Sequence, residues 1–333
     1  PLAGAAILWA GVLPAAADGI GRARRAQRAA LAARGVLLAA SLWIGAGHAS
    51  SQLDLHLRVH RVVGDLAAHA AQAGPDDRVL ALNLPEWVAP VARHFPIGSE
   101  GVIVMAPYVD GADLVLANTG LWRSVASARY PLPYQPDLPY VYQAWGQELG
   151  GEALAEKVAG STRVIQTRFL TDTLRADWVG GVEPAAGGLP QVVFAGQLAL
   201  GAYHIAPCRD GWMLATRWRR LPQPTGVTAV LPPTLSVFAQ AFDGRGVLKA
   251  QADGSLLDGL LRMDQVPVGA EAVDRRLLAA DAATPGSGGT LLLGVYDYQT
   301  GERLTAISAD GRRLDGDAWS APLPAPDPAV PCR

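Results

Sequence analysis

A cluster of arginines set between two uncharged apolar runs constrains this chain more than any other feature. Residues 21–35 read GRARRAQRAALAARG, residues 1–17 before them carry no charge, and residues 35–49 after them carry none either. An apolar helix needs about 20 residues to cross a bilayer, and short cytoplasmic loops collect positive charge. Arg22, Arg24, Arg25, Arg28 and Arg34 therefore point to a transmembrane hairpin over residues 1–50 with an inside loop at 21–35. Everything from about residue 51 onward is then expected outside the cytoplasm, in a multi-pass protein with membrane lipid as its first partner.

Two other readings stay open. The basic stretch, the short apolar run and Gly47-His48-Ala49 also resemble a secretory signal with its cleavage site. An Ala-rich helical hairpin buried in a soluble protein fits the same letters. The chain starts at Pro1 rather than Met, so a fragment, a processed form or a trimmed piece of a longer protein is expected.

Composition narrows the rest. Of 333 residues, 50% are hydrophobic and 17% charged, which favours large cores over disorder. Net charge is −2 and no basic stripe follows residue 35, so nucleic acid is not an expected partner. Cys208 and Cys332 are the only cysteines, without CxxC or Cys/His zinc spacing. Outside the cytoplasm they either pair, tying the tail to the loop after Ile205, or remain thiols.

Residues 52–73 carry an amphipathic helical stripe (Leu55, Val59, Val62, Leu66, Ala70) that Gly74-Pro75 stops. Short apolar runs at 79–82, 101–107, 112–118 and 161–170 read as buried strands. The stretch 139–160 reads as helical pieces broken at Gly150-Gly151. The expectation is a small extracytoplasmic α/β domain over 51–182, then a Pro/Gly-rich linker at 183–191. From 192 to 320, alternating runs separated by Asp-Gly pairs predict an all-β sandwich, with a hairpin across 289–307 turning at Gly301. Residues 321–333 read as an extended, mobile Pro-rich tail.

Motifs that would carry chemistry are missing. No GxGxxG or GxxxxGK[ST] follows a strand, no GxSxG elbow occurs, and His56 and His60 lack the Glu of HExxH. The Asp-Gly pairs never extend into a calcium loop. No catalytic residue, metal site or cofactor is assigned. Aromatic residues are the better lead: Trp122, Tyr134, Tyr140 and Trp145 lie in a dense stretch where rings can stack on sugar faces, or else form core or a membrane belt. Trp212, Trp218 and Trp319 read as core. This lead also motivates a third functional reading, a secreted hydrolase.

Three blocks carry a family resemblance: WMLATRWRRL (212–221), LSVFAQAFDGRGVLKAQADG (235–254) and LLLGVYDYQTGERLTA (291–306). Val237-Phe238, Asp243, Gly246, Gln251, Asp253, the Gly294–Asp297 tetrad and the Thr300–Leu304 run match the pattern most closely. Together they resemble the C-terminal β-sandwich of bacterial polytopic glycosyltransferases of the family-39, dolichyl-phosphate-mannose mannosyltransferase-like type. The sequence between the blocks (255–276) departs from that pattern. The resemblance implies the non-catalytic C-terminal portion of an enzyme that transfers sugar from a polyprenyl-phosphate-linked donor at the outer membrane face. It also implies that the acidic catalytic residues lie in an earlier outer loop with no counterpart here. The competing expectation is a free-standing, membrane-anchored β-sandwich protein that binds glycan or a protein partner.

Overall fold

The computed structural model describes residues 20–91, 100–106, 108–133, 135–222, 231–280 and 289–332, with side chains from residue 27 onward. It begins with one helix, α1, running unbroken from Ile20 to Ala71. The inside loop expected at 21–35 is therefore helix. Its residues are mostly Ala, Arg, Leu and Gln, all strong helix formers, and no proline interrupts residues 20–71. Positive charge marks topology but does not break a helix. The first apolar run, residues 1–17, lies outside the described residues.

At 1.5 Å per residue, 52 residues make a rod about 78 Å long. Its two halves have opposite surroundings. Val36, Leu42 and Trp43 are 68%, 64% and 83% exposed, while Leu55, Val62, Leu66 and Ala70 are buried. This one helix near the N-terminus is long and apolar enough to cross a membrane. Its second half is the amphipathic stripe read from the sequence, packed as expected.

What it packs on is one face of a sheet whose centre is parallel and whose next strand, holding Leu174 and Ala176, runs antiparallel. Strand β1 (Val79–Leu82) lies between β4 (Val125–Arg129) and β7 (Arg163–Phe169), parallel to both. Alternation along β1 then sorts the core. Val79 and Ala81 share a cluster with Leu66 of α1 and with Val115 of helix α2 (Gly111–Thr119). Leu80 and Leu82 share another with Val158 of helix α3 (Gly151–Ala159).

Helix α2 covers the run 112–118 that reads as a strand. Its ends explain the reversal. Asp110 and Asp113 form a reciprocal capping box, and Gly120 closes the helix at φ 71°. Among the described residues of the run 101–107, Val102–Ile103 is strand, β3; it pairs with β2 (Pro85–Pro90), which also pairs with β5 (Tyr140–Ala144). Tyr140–Ala144, expected as helix, is extended, while the helix after Gly150 forms.

The expected break at 183–191 does not divide the fold. Strand β8 (Leu174–Pro184) pairs with β7 on one side and with β14 (Ala270–Ala279) on the other. Beyond β14 the sheet continues through β11 (Gly211–Arg220), β10 (Leu198–Cys208), β9 (Val192–Phe194) and β16 (Ala306–Ser308). With β6 (Gln147–Glu148) at the far edge beside β4, ten strands join in one sheet. The Pro/Gly-rich segment is only a connection between strands, and residues 192–320 do not stand as a separate sandwich.

A sandwich exists nonetheless. Strands β13 (Leu248–Gln251), β12 (Leu235–Phe242), β15 (Gly289–Asp297) and β17 (Trp319–Leu323) form a second antiparallel sheet. Val237 and Ala239 of β12 and Leu291 and Leu293 of β15 share one core with Leu200, Leu214 and Trp218 of the large sheet. That core also contains Leu80 and Val164, which is why no domain boundary appears. The turn at Gly301 forms as read, with φ 75° and a hydrogen bond from Leu304 N–H to Val295 O, but the hairpin expected across 289–307 goes no further: after the Tyr296↔Arg303 bridge the chain leaves β15, and β16 pairs with β9 in the large sheet. Trp212 and Trp218 are buried, and Trp319 packs edge-on against Tyr203. The tail does not begin at 321, because β17 runs to Leu323 and Cys332 is disulfide-bonded to Cys208.

Candidate functional site

The large sheet splits in its middle. Strands β8 and β14 pair from Pro184↔Ala270 to Gly180↔Asp274, and then the pairing stops. From there β8 stays with β7 and β14 stays with β11, leaving a cleft of about 470 Å³ between them. That volume lies within the range of about 300–1,000 Å³ usual for small-molecule sites. Arg168, Arg175 and Asp177 line one wall, Arg275, Arg276 and Leu277 the other, and residues 252–259 close it.

The strand registers explain the polar wall. Arg168 lies opposite Arg175, and Gln166 opposite Asp177, so their side chains share one sheet face. Arg168 is held between two carboxylates, with Nε 2.8 Å from Asp177 Oδ2 and Nη1 3.0 Å from Asp258 Oδ2. Burial works against its charge, but Asp258 and Asp177 outweigh burial and raise its pKa. Arg175 shares Asp177 at 3.1 Å. Burial pushes the Asp253 carboxyl upward, partly offset by the Ala239 N–H and Arg276.

The closing segment is under conformational tension. Leu257 and Asp258 have φ of 52° and 58°, a region that side chains with a Cβ seldom adopt. Two contacts hold them there. Leu257 N–H donates to Asp274 Oδ1 at 2.7 Å, and Asp258 meets Arg168. Such strain concentrates at sites where geometry is fixed in advance.

Asp274 is itself half of a buried pair with Arg276, 2.5 Å apart. The Arg276 guanidinium also donates to the carbonyls of Ala252, Gly254 and Ser255, so one residue of the large sheet holds the cleft's cover. Trp178 of β8 is flanked from both walls, with Arg163 of β7 and Arg275 of β14 lying 3.9 and 4.1 Å from its ring centroid. Burial lowers the pKa of both, and at Arg275 the neighbouring Arg163 charge adds to it. The Trp178 ring, which lines the cleft, is thus already in contact with two guanidinium groups.

The cleft also sits close to α1. Leu170 lines it, and the turn carrying Leu170 is tied to the helix: Arg58 Nη1 donates to Thr171 O, and Arg61 Nη1 to Thr173 Oγ1 at 2.7 Å.

The aromatic candidates are placed elsewhere. Tyr140 is core, 2% exposed, and its hydroxyl donates to Leu170 O at 2.8 Å. A ring so enclosed cannot stack on a ligand. Trp145 packs against the same cluster, Trp122 is 63% exposed outside it, and Tyr134 lies outside the described residues. None of the described three lines the cleft. The arginines that do line it escape sequence reading because they come from strands far apart in the chain; the alternation of Arg175 and Asp177 in β8 is a local signal. Arg28 and Arg34 lie exposed along α1, and Arg22, Arg24 and Arg25 are in its first turns.

Cys208 and Cys332 form the disulfide, their Cα atoms 5.0 Å apart, and Cys332 borders the cleft. Among the described residues no group of His, Cys, Asp or Glu could hold a metal ion. No model of a known protein family matches the chain, and no curated protein matches it.

Proposed function

We propose that this chain is the outer, C-terminal portion of a membrane glycosyltransferase, and that the β8–β14 cleft holds a polar glycan substrate beside the bilayer. The observation that carries the reading is the position of the cleft. Its wall is hydrogen-bonded to α1 at Arg58 and Arg61, four and seven residues past Asp54, the first charge after the apolar stretch. At 1.5 Å per residue that is about 6–10 Å beyond the span. A site at that height is within reach of a sugar carried on a membrane-embedded polyprenyl phosphate.

Support for the enzyme class comes from the three sequence blocks. They fall on β11, on β12 with β13, and on β15 with its hairpin, and the second ends in Asp253-Gly254 at the cleft. Within the cleft, arginines and carboxylates in near balance suit hydroxyl-rich ligands better than a strongly charged one. The disulfide fits an oxidising compartment, which agrees with an extracytoplasmic position. No residue of this chain is assigned a catalytic role.

The test is sugar transfer by membranes containing the full-length gene product, with a radiolabelled polyprenyl-phosphate sugar as donor. Arg175→Ala and Asp258→Ala are expected to lower transfer about tenfold or more, the loss of one charge-assisted hydrogen bond. Gln299→Ala, in the distant hairpin turn, serves as control. Absence of transfer by the unaltered protein, or full transfer by folded cleft variants, contradicts the proposal. Glycan binding without any transfer would favour a membrane-anchored binding protein.

A further inference from the structure

We infer that the membrane-proximal rim of the small sheet β2–β3–β5 rests in the lipid interface, with Val91, Ile103 and Val141 against the bilayer. The inference depends on α1 spanning the membrane, and it concerns how the outer domain sits on that membrane. Between Arg34 and Asp54 the helix carries no charged residue, a stretch of 19 residues from 35 to 53. At 1.5 Å each this is about 28 Å, the thickness of a hydrocarbon core. Arg34 and Asp54 thereby mark its two ends.

The folded domain meets the helix before that stretch is over. The Gln52 side-chain amide donates to Glu100 O, and His48 Nδ1 lies 3.7 Å from the Glu100 carboxylate. His48 is six residues short of Asp54, or about 9 Å down the helix axis. A bilayer that covers the apolar stretch must therefore reach the part of the domain around Glu100. Glu100 is buried there against the helix, so its carboxylate is not presented to lipid.

Strand pairing shows what accompanies it. Val102 and Ile103, next along from Glu100, pair with Val88 and Trp87. Val91 N–H donates to Pro139 O at the same end of the sheet, where Pro90 faces Tyr140 and Ala89 faces Val141. Tyr140 in turn lies under the Arg58 guanidinium, close above the span's end. Here the surface is apolar without being covered: Val91 is 57%, Ile103 67% and Val141 44% exposed. On the helix, Leu53 and Leu57, either side of Asp54, are 61% and 58% exposed. An apolar collar at the level where a span emerges is what the headgroup–acyl boundary accommodates.

The test uses depth-dependent quenching in phospholipid vesicles. Single cysteines at Val91, Ile103, Leu42 and Gln299 are labelled with an environment-sensitive fluorophore while Cys208–Cys332 stays oxidised. The quencher is a lipid carrying a nitroxide high on its acyl chain. The expected result is loss of fluorescence at 42, 91 and 103 and none at 299. Quenching at 42 but at neither 91 nor 103 would show a domain standing clear of the lipid, and would overturn the inference while leaving the span intact. No quenching at 42 would remove both.

Discussion

Phe238 and Gly294 face each other across β12 and β15, and a Cβ built on Gly294 would lie 2.3 Å from Phe238 Cζ. The ring lies over the glycine, and Arg303 covers it at 4.5 Å from its centroid. All three residues belong to the sequence blocks at 235–254 and 291–306, so these positions of the pattern record packing. Gly294→Ala should destabilise the protein by about 1–3 kcal/mol through overpacking. Combining it with Phe238→Leu should cost less than the sum of the two single changes, measured by urea unfolding. Additive losses would mean that the ring does not occupy the space.

Breaking the Asp274–Arg276 pair should be severe. Both side chains are buried, at 0% and 8% exposure, and the guanidinium serves four backbone carbonyls. Arg276→Met leaves the Asp274 carboxyl without its partner and the carbonyls without a donor. The expected loss is about 3–5 kcal/mol. Asp274→Asn should cost less, since its carbonyl oxygen can still accept from Leu257 N–H. Equal losses, or a small one for Arg276→Met, would show that the cover of the cleft is held by other contacts.

Removing the disulfide is expected to lower stability by about 2–5 kcal/mol, because it closes a sequence separation of 124 residues. Cys208→Ser with Cys332→Ser should therefore lower the Tm and expose the tail to protease. Unaltered digestion would show that the Trp212 Nε1–H to Pro324 O bond and the Arg209 N–H to Val330 O bond suffice.

Stability should fall at alkaline pH. Burial raises the Tyr140 hydroxyl from 10.0 to about 12, and burial also raises Tyr130 and Tyr142. A pKa higher in the folded state means the stabilisation is complete below the unfolded value and disappears as pH climbs through the folded one. For Tyr140 that window runs from pH 10 to about 12. Thermal melts across it should show a falling Tm, and Tyr140→Phe should flatten part of the decline. A Tm independent of pH there would contradict the enclosed hydroxyl.

How legible this was from sequence depends on how local the cause is. The amphipathic second half of α1, β1, β7 and the turn at Gly301 are set by periodicity and turn chemistry close in the chain, and they form as read, whereas the strand after that turn joins the other sheet. Residues 112–118 show apolar letters alone misleading, because the capping box at Asp110 and Asp113 decides for helix. The arginine cluster misleads in the opposite sense: its charge suggests a loop, but its helix-forming residues continue the rod. Least legible was the union of the two halves. Pairing of β8 with β14 joins residues about 90 apart, and no local pattern announces it. The cleft arises from that same pairing, so its arginines were invisible while the aromatic stretch drew attention instead.

Whether α1 carries the domain out through a membrane is the claim on which the rest depends, and cysteine accessibility tests it most directly. Gln27→Cys and Gln299→Cys variants, one at each end of the described molecule, would be exposed to an impermeant maleimide on intact cells and again after permeabilisation. The account predicts labelling at 299 in intact cells and at 27 only after permeabilisation. Labelling at 27 in intact cells with 299 protected would invert the topology, and labelling of both in intact cells would mean that the helix does not cross.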